Sequence, residues 1–194
     1  LTGKRGRPRS IETEKSILQA SFELLLEMGF ASVTIEKIAE RAGVSKATIY
    51  KWWPNKAAVV MDGFLSGVSK RLPVPDTGSV YEDLLKHAAY VVSFLTSIEG
   101  KVLSEIIGEG QSDPTLAEAY QTRYFAPRRA EAKQIIARGI ERGELNKEID
   151  MDLFIDLIYG PFFYRLIMTG GELNEAYVHQ IVNAAFYGIR TKTP

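Results

Sequence analysis

The stretch Thr34-Ile-Glu-Lys-Ile-Ala-Glu-Arg-Ala-Gly-Val-Ser-Lys-Ala-Thr-Ile-Tyr-Lys-Trp-Trp-Pro-Asn-Lys56 decides how the whole chain is read. Thr34 caps a short helix that places Ile35, Ile38, Ala39 and Ala42 on one face. Gly43 breaks that helix, and Ser45 caps a second one that carries Ile49 and Trp53 inward. Two short helices joined at a steep angle by a turn of a few residues form a helix-turn-helix, whose second helix enters the DNA major groove. With Ile38, Ala39, Ala42, Val44 and Ile49 packing the pair together, Lys46, Ala47, Thr48, Tyr50, Lys51 and Trp52 are left facing outward. Lysines in such positions take phosphates, while small and hydroxyl side chains reach base edges and thymine methyls. The alternative for Tyr50 and Trp52 is partial burial as core residues.

On the N-terminal side, Ser10 reads as the cap of a preceding helix, with Glu12 and Glu14 in its first turn and Ile17, Leu18, Phe22, Leu25 and Leu26 at helical spacing. Gly29 ends it. Pro54-Asn55 starts another helix, from Lys56 to about residue 70. The segment Leu72-Pro-Val-Pro-Asp-Thr-Gly78 reads as a linker. Beyond it, Ser79-x-x-Glu82 is a capping box and Asp113-Pro114 an N-cap with proline at the first helical position. Helices are expected near 80–97, 100–109, 114–142, 150–168 and 174–189. No stretch combines strict alternation with hairpin turns, so the fold class is all-α. The expected division is a basic flexible arm at 1–10, a three-helix DNA-binding domain at 11–71 and a helical domain at 72–194.

Composition narrows the function. The 194 residues contain no cysteine and two histidines, so thiolate zinc sites, iron–sulfur clusters and cysteine nucleophiles are excluded and a histidine-built metal centre is not expected. His87 and His179 read as hydrogen-bonded structural histidines. No nucleotide-binding, zinc-protease or nucleophile-elbow motif occurs, so neither a catalytic role nor a cofactor is expected. The longest apolar stretch, Leu153 to Met168, is interrupted by Asp156, Pro161 and Arg165 and falls short of a bilayer span. The basic N-terminal residues lack the apolar core of a signal peptide, so a cytoplasmic, nucleoid-associated location is expected. Lys+Arg 24 balances Asp+Glu 24 over the whole chain. Residues 1–56 nevertheless hold ten basic groups against six acidic ones, a net +4, which leaves −4 for the remainder. That asymmetry suits a polyanionic partner at one end only.

The Thr34–Lys56 stretch resembles the DNA-binding signature of TetR-type transcriptional repressors across both helices, the turn and the start of the next helix. It departs from the usual pattern at Ala47, where glycine is common, and at Trp52-Trp53, where Tyr-Phe is common. The resemblance implies a homodimer of roughly 200-residue chains, each with an N-terminal DNA-binding domain and a C-terminal domain for dimerisation and inducer binding. It places Thr34, Ser45, Lys46, Ala47, Thr48, Tyr50, Lys51, Trp52 and Lys56 at the DNA, with Tyr50, Trp52 and Lys56 on phosphates and Lys46 and Thr48 at base edges. The expected partners are a palindromic double-stranded operator and a small-molecule effector that changes the spacing of the two reading heads. Lys4-Arg-Gly-Arg-Pro-Arg9 contains the core of an AT-hook, in which an extended backbone lays arginines such as Arg5, Arg7 and Arg9 along an A·T minor groove; the alternative is a solvated basic terminus. A rival reading is an architectural A·T-rich DNA binder that senses no ligand, although the acidic remainder is superfluous to such a protein.

In the second half, helix 150–168 is apolar nearly all round and calls for burial on more than one side. Phe154, Ile158 and Phe162, with Tyr177, Ile181 and Ala185 of the last helix, are candidates for a two-fold four-helix interface, or else core residues of the domain. Phe94, Tyr120, Tyr124, Phe125, Tyr159 and Phe163 are candidates for lining an effector pocket, or else ordinary core. Gly160-Pro161 is expected to bend or loosen its helix.

Overall fold

The computed structural model describes residues 7–69 and 72–188, with side chains from residue 11 onward. All regular secondary structure among the described residues is helical, without strands. The order is α1 (Arg7–Ser32), α2 (Ile35–Ala42), α3 (Lys46–Tyr50), α4 (Lys56–Val68), α5 (Val80–Leu95), α6 (Ile98–Gly110), α7 (Pro114–Tyr120), α8 (Ala126–Glu141), α9 (Met151–Phe163) and α10 (Glu175–Tyr187). A π-helical turn, Gln121–Phe125, joins α7 to α8, and a second, Tyr164–Thr169, extends α9. The run expected as one helix over 114–142 is thus a continuous path that widens locally. Pro161 sits inside α9 and the helix continues past it to Phe163 before loosening.

The chain divides into two compact units. One holds α1 to α4, residues 102–110 of α6, α7 and the turn 121–125; the other holds residues 72–101, α8, α9 and α10. The proline-rich segment 72–78 therefore does not mark a simple boundary, because residues 102–125 return to pack with the first unit. The physical reason is apolar: α7 and the following turn lie on α4, where Phe64 and Tyr124 rings meet at 5.3 Å, and Leu116 and Tyr120 are buried.

In the first unit, α1 buries Ile17, Ala20, Ser21, Leu24 and Leu25 at helical spacing. The α1–α4 crossing is close. A β-carbon on Gly63 would stand 2.2 Å from Ser21 Oγ and 2.8 Å from the Leu18 carbonyl oxygen, so only glycine fits there. Ser21 Oγ meanwhile donates to the Val59 carbonyl at 3.0 Å. α1 begins at Arg7, so Ser10 lies within the helix and does not cap it. Pro8 in the first turn explains the earlier start, since its missing N–H would have no intrahelical partner anyway. Arg7, Pro8 and Arg9 consequently lack the extended backbone that an AT-hook needs. Arg5 and the side chains of Arg7 and Arg9 lie outside the described residues.

In the second unit, α5 packs with α8, α9 and α10. Phe154, Ile155, Ile158 and Phe162 of α9 and Val178 and Val182 of α10 are buried within the chain. The start of α5 is tied down electrostatically. Asp83, fully buried, accepts from the Thr77 amide and hydroxyl, each at 2.7 Å, and faces Arg138 at 3.7 Å and Arg142 at 3.8 Å. Glu144 accepts from the Val80 amide at 2.7 Å and pairs with Arg142.

Candidate nucleic-acid interface

The reading unit is built by its caps. Thr34 Oγ1 accepts from the Lys37 amide at 3.3 Å, opening α2. Gly43 closes it in the left-handed region (φ 67°), a conformation that L side chains rarely adopt. Ser45 Oγ accepts from the Thr48 amide at 3.2 Å and lies 3.0 Å from the Thr48 hydroxyl, opening α3. Ile38 and Ile49, both fully buried, seal the two helices together. Trp53 is buried, and its indole N–H donates to Asp62 Oδ2 at 2.7 Å. The same carboxylate takes Arg123 at 2.6 Å. α3 is thereby held by one face, and the other is open: Ala47, Lys51 and Tyr50 are exposed, Tyr50 at 54%. Trp52 is half-buried, edge-on to Trp53 at 5.6 Å, and Thr48 is half-buried beneath its hydroxyl contact.

The cations of this unit are less available than their number suggests. Lys37 donates to the Ser32 carbonyl at 2.9 Å, and Arg41 pairs with Glu27. Lys46 Nζ pairs with Glu36 at 2.9 Å. Lys56, expected on a phosphate, donates to the Phe30 carbonyl at 2.9 Å with its ammonium 4.0 Å above the Phe30 ring. Burial holds its pKa below the usual lysine value, with Glu109 and Asp113 acting the other way. In this conformation its ammonium braces the end of α1. The Lys51 ammonium alone among those of these head lysines has no hydrogen bond or ion pair among the described residues. Sequence reading missed Glu36, Glu27 and Asp62 because their partners are ten, fourteen and nine or more residues away, across turns whose angle no periodicity encodes.

The aromatic residues expected at a pocket fall into two groups. In the first unit the Phe125 ring meets both Tyr120 and Tyr124 edge-on. Phe94, Tyr159 and Phe163 belong to the second. There His87 and Tyr159 form a buried pair, Nδ1 to hydroxyl 2.6 Å, with rings edge-to-face at 5.5 Å. His87 Nε2 is buried without a hydrogen-bond partner. Burial, reinforced by the Arg128 charge, pushes the imidazole down to about 4, and burial pushes the Tyr159 phenol up. The folded chain therefore holds His87 neutral, while the unfolded chain protonates it near the ordinary histidine value. Its contribution to stability is constant above about pH 6.5 and falls as pH drops from there toward 4, with a slope approaching ~1.4 kcal/mol per pH unit. Urea midpoints over that range are expected to show a shallower decline in His87→Gln than in the unaltered protein; identical profiles would reject a neutral buried His87.

The residues expected at an interface are also redistributed. Phe154, Ile158 and Phe162 are covered by the chain itself, with Phe154 against Phe186 at 5.5 Å and Phe162 against Tyr177 at 6.1 Å on α10. The neighbouring stripe is the open one: Leu153 is 57% and Leu157 52% exposed, and Tyr164, Ile167 and Met168 continue it. Leu153 and Leu157 border a groove of about 250 Å³ with Leu145, Ile149, Phe154 and Phe186. Of the α10 candidates, Tyr177, Ile181 and Ala185 are half-buried. Among the described residues no helix is long and apolar enough to cross a membrane, and no group of three acidic or histidine side chains is placed to hold a metal ion.

Comparisons with known proteins agree with this geometry. Residues 17–61 match the family described as bacterial regulatory proteins, tetR family, and residues 74–185 match the tetracyclin repressor-like C-terminal domain. The chain is 57% identical to the uncharacterized HTH-type transcriptional regulator YdeS of Bacillus subtilis (strain 168), over 98% of this chain and 96% of that one. The crystal structure of the TetR family transcription regulator SCO0332 superposes with a TM-score of 0.83 at 36% identity, covering 93% of this chain and all of that one. Thermus thermophilus FadR, a TetR family transcriptional repressor in complex with lauroyl-CoA, shares the fold at 20% identity (TM-score 0.66; 93% and 97% covered). The helix-turn-helix with its open reading face, the helical second half and these matches have one common meaning: the chain belongs to the TetR family of DNA-binding transcriptional regulators, and it is not an enzyme.

Proposed function

We propose that the protein is a repressor that binds a palindromic operator as a homodimer and leaves it when a small-molecule effector binds. The observation that carries this reading is α3, anchored through Ile49 while Ala47, Tyr50 and Lys51 stand open on its other face. In this assignment Ala47 meets base edges or thymine methyls, and Lys46 and Thr48 exchange their own-chain partners for DNA. Tyr50, Lys51 and Trp52 hold phosphates, with the N-termini of α2 and α3, capped by Thr34 and Ser45, turned toward the backbone. Lys56 acts mainly by bracing α1. The exposed stripe on α9 supports the homodimer, since a second copy would cover Leu153 and Leu157 in both chains at once.

Release by an effector is supported by the repressor FadR, which was crystallised with lauroyl-CoA, and by the neutral, partnerless His87 Nε2 in the second unit. Phe94, Tyr159 and Phe163 in that unit remain the proposed lining residues, whereas Tyr120, Tyr124 and Phe125 belong to the first unit. An effector releases the operator only to the extent that it binds the non-matching arrangement of the two heads more tightly. The site of action is the bacterial nucleoid, in the cytoplasm.

The test is selection of bound duplexes from a random pool, followed by footprinting of the recovered site. The expected result is one protected palindrome with half-sites a whole number of helical turns apart, about 34–36 Å for one turn. Repression is then read from a reporter that carries the site. Uniform coating in proportion to DNA length would instead identify an architectural binder.

A further inference from the structure

A helix of five residues such as α3 has no stability of its own, so its direction on the head is set by what holds it. Ile49 is one anchor, but apolar contact is non-directional. The directional anchor comes at the exit of the helix. The amides of Trp52 and Trp53 both donate to the Ile49 carbonyl at 3.0 Å, which ties the buried Trp53 to the last turn of α3. The Trp53 indole N–H then donates to Asp62 of α4 at 2.7 Å. The oxygen that accepts it, Oδ2, also takes the Arg123 guanidinium at 2.6 Å, so Arg123 fixes the carboxylate on which Trp53 hangs. Arg123 belongs to the π-helical turn Gln121–Phe125, and its neighbour Tyr124 is buried with its ring 5.3 Å from that of Phe64. The wider i→i+5 turn thus presents two successive side chains to α4. The Arg123 and Asp62 side chains are 33% and 29% exposed, and a pair this open to water contributes little to folding. What it restricts is the direction of the Asp62 carboxylate.

We propose that Arg123 is a positioning residue for DNA reading: through Asp62 and Trp53 it holds α3 in the orientation that lets its open face meet base edges. The inference rests on the assignment of α3 as the reading helix. Base-edge contacts need that orientation, because donors and acceptors must meet in fixed pairs, whereas phosphates are reached by long flexible side chains from many orientations. Loosening α3 therefore weakens a matched site in proportion to the heads no longer in register and leaves unmatched DNA almost untouched.

The experiment measures affinity and its salt dependence on the duplex recovered by random-pool selection and on a scrambled duplex of equal length. Arg123→Met is expected to weaken the matched duplex about threefold per head, about tenfold on a palindrome read by two heads, while the scrambled duplex changes less than about twofold at an unaltered salt slope. Asp62→Ala changes the net charge in the opposite sense and is expected to lower the ratio between the duplexes as well, with the double variant falling no further than Asp62→Ala alone. Partial unfolding lowers both affinities together and leaves their ratio alone. The chain has two tryptophans, so the Trp53 indole N–H is one of two such resonances, and in Arg123→Met it is expected to shift and to exchange faster with solvent. Ala47→Asp, which puts a carboxylate on the open face of α3, is expected to weaken the matched duplex at least about tenfold. No change there would remove α3 from the interface and defeat that assignment, independently of Arg123. With α3 at the DNA, an unchanged ratio or an unmoved indole resonance in Arg123→Met would overturn the proposal. So would affinities for both duplexes that fall alike in Arg123→Met and rise alike in Asp62→Ala, which is the effect of net charge alone. A salt slope reduced by about one ion on both duplexes would overturn it too, by making Arg123 itself a phosphate ligand.

Discussion

Asp83→Ala is expected to lower the unfolding free energy by ~3 kcal/mol or more, read from urea midpoints at pH 7, with the slope of the transition unchanged. Asp83 is fully buried in the first turns of α5 and serves two sets of partners at once. One oxygen accepts from the amide and the hydroxyl of Thr77, and the other faces the guanidinium groups of Arg138 in α8 and of Arg142 just past its end. Alanine strands the Thr77 amide without its acceptor and leaves two cations with only Asp76, Glu144 and the Pro75 carbonyl to balance them. Asp83→Asn keeps an acceptor for Thr77 and removes the charge, so it should fall between the two. A loss below about 1 kcal/mol in the alanine variant would show that the arginines are satisfied without Asp83.

Leu157→Glu is expected to convert a dimer into monomers and to weaken operator binding at least a hundredfold, measured by sedimentation and by fluorescence anisotropy on the selected duplex. Leu157 is 52% exposed in the single chain beside Leu153 at 57%, with Phe154 and Phe186 beneath them. A two-fold interface counts every substitution twice, so losing two leucine contacts, each ~1.5–3 kcal/mol, and burying two like charges costs several orders of magnitude in the dimer dissociation constant. Operator affinity follows, because the second half-site is then no longer bound intramolecularly. The folded monomer should keep its helical circular dichroism, since the side chain is already open to water, while the urea midpoint falls by the contribution that dimerisation made and loses its dependence on protein concentration. An intact dimer would place the interface elsewhere on the chain.

Much of the fold was legible because it is local. Thr34, Ser45, Ser79 and Asp113 all cap helices through bonds to amides within three residues, and Gly43 takes the positive φ that a tight helix exit demands. These are short-range preferences, carried by residue type and spacing. The helix limits over the second half agree with periodicity to within a few residues for the same reason. Ser10 was misread because a cap and a second-turn serine look alike in sequence; the proline two positions earlier carried the better signal.

The candidate site was legible in its residue types and only partly in their roles. Ala47, Tyr50 and Lys51 are open as expected, and Trp53 is buried as expected. Lys46 is expected at base edges and Lys56 on phosphates, yet in the single chain each meets an acceptor on a different helix or turn. A sequence reports that a lysine is present but not where its flexible stem carries the charge. Likewise α9 was correctly read as apolar on too many sides, but period alone ranks its stripes equally. Phe154, Ile158 and Phe162 could be separated from Leu153 and Leu157 only once packing within the chain, α10 included, had covered one stripe and left the other.

Residue type and spacing suffice for interactions closed within a few residues: the helical elements, a helix-turn-helix between Thr34 and Trp53, and a charge asymmetry that points one end toward DNA. Tertiary structure decided which unit residues 102–125 join, which face of α9 stays open, and that Asp83, His87 and Glu36 meet their partners. Those outcomes depend on distances between helices far apart in the chain, set by competing packing surfaces and by the cost of burying charge, and neither is a function of local spacing.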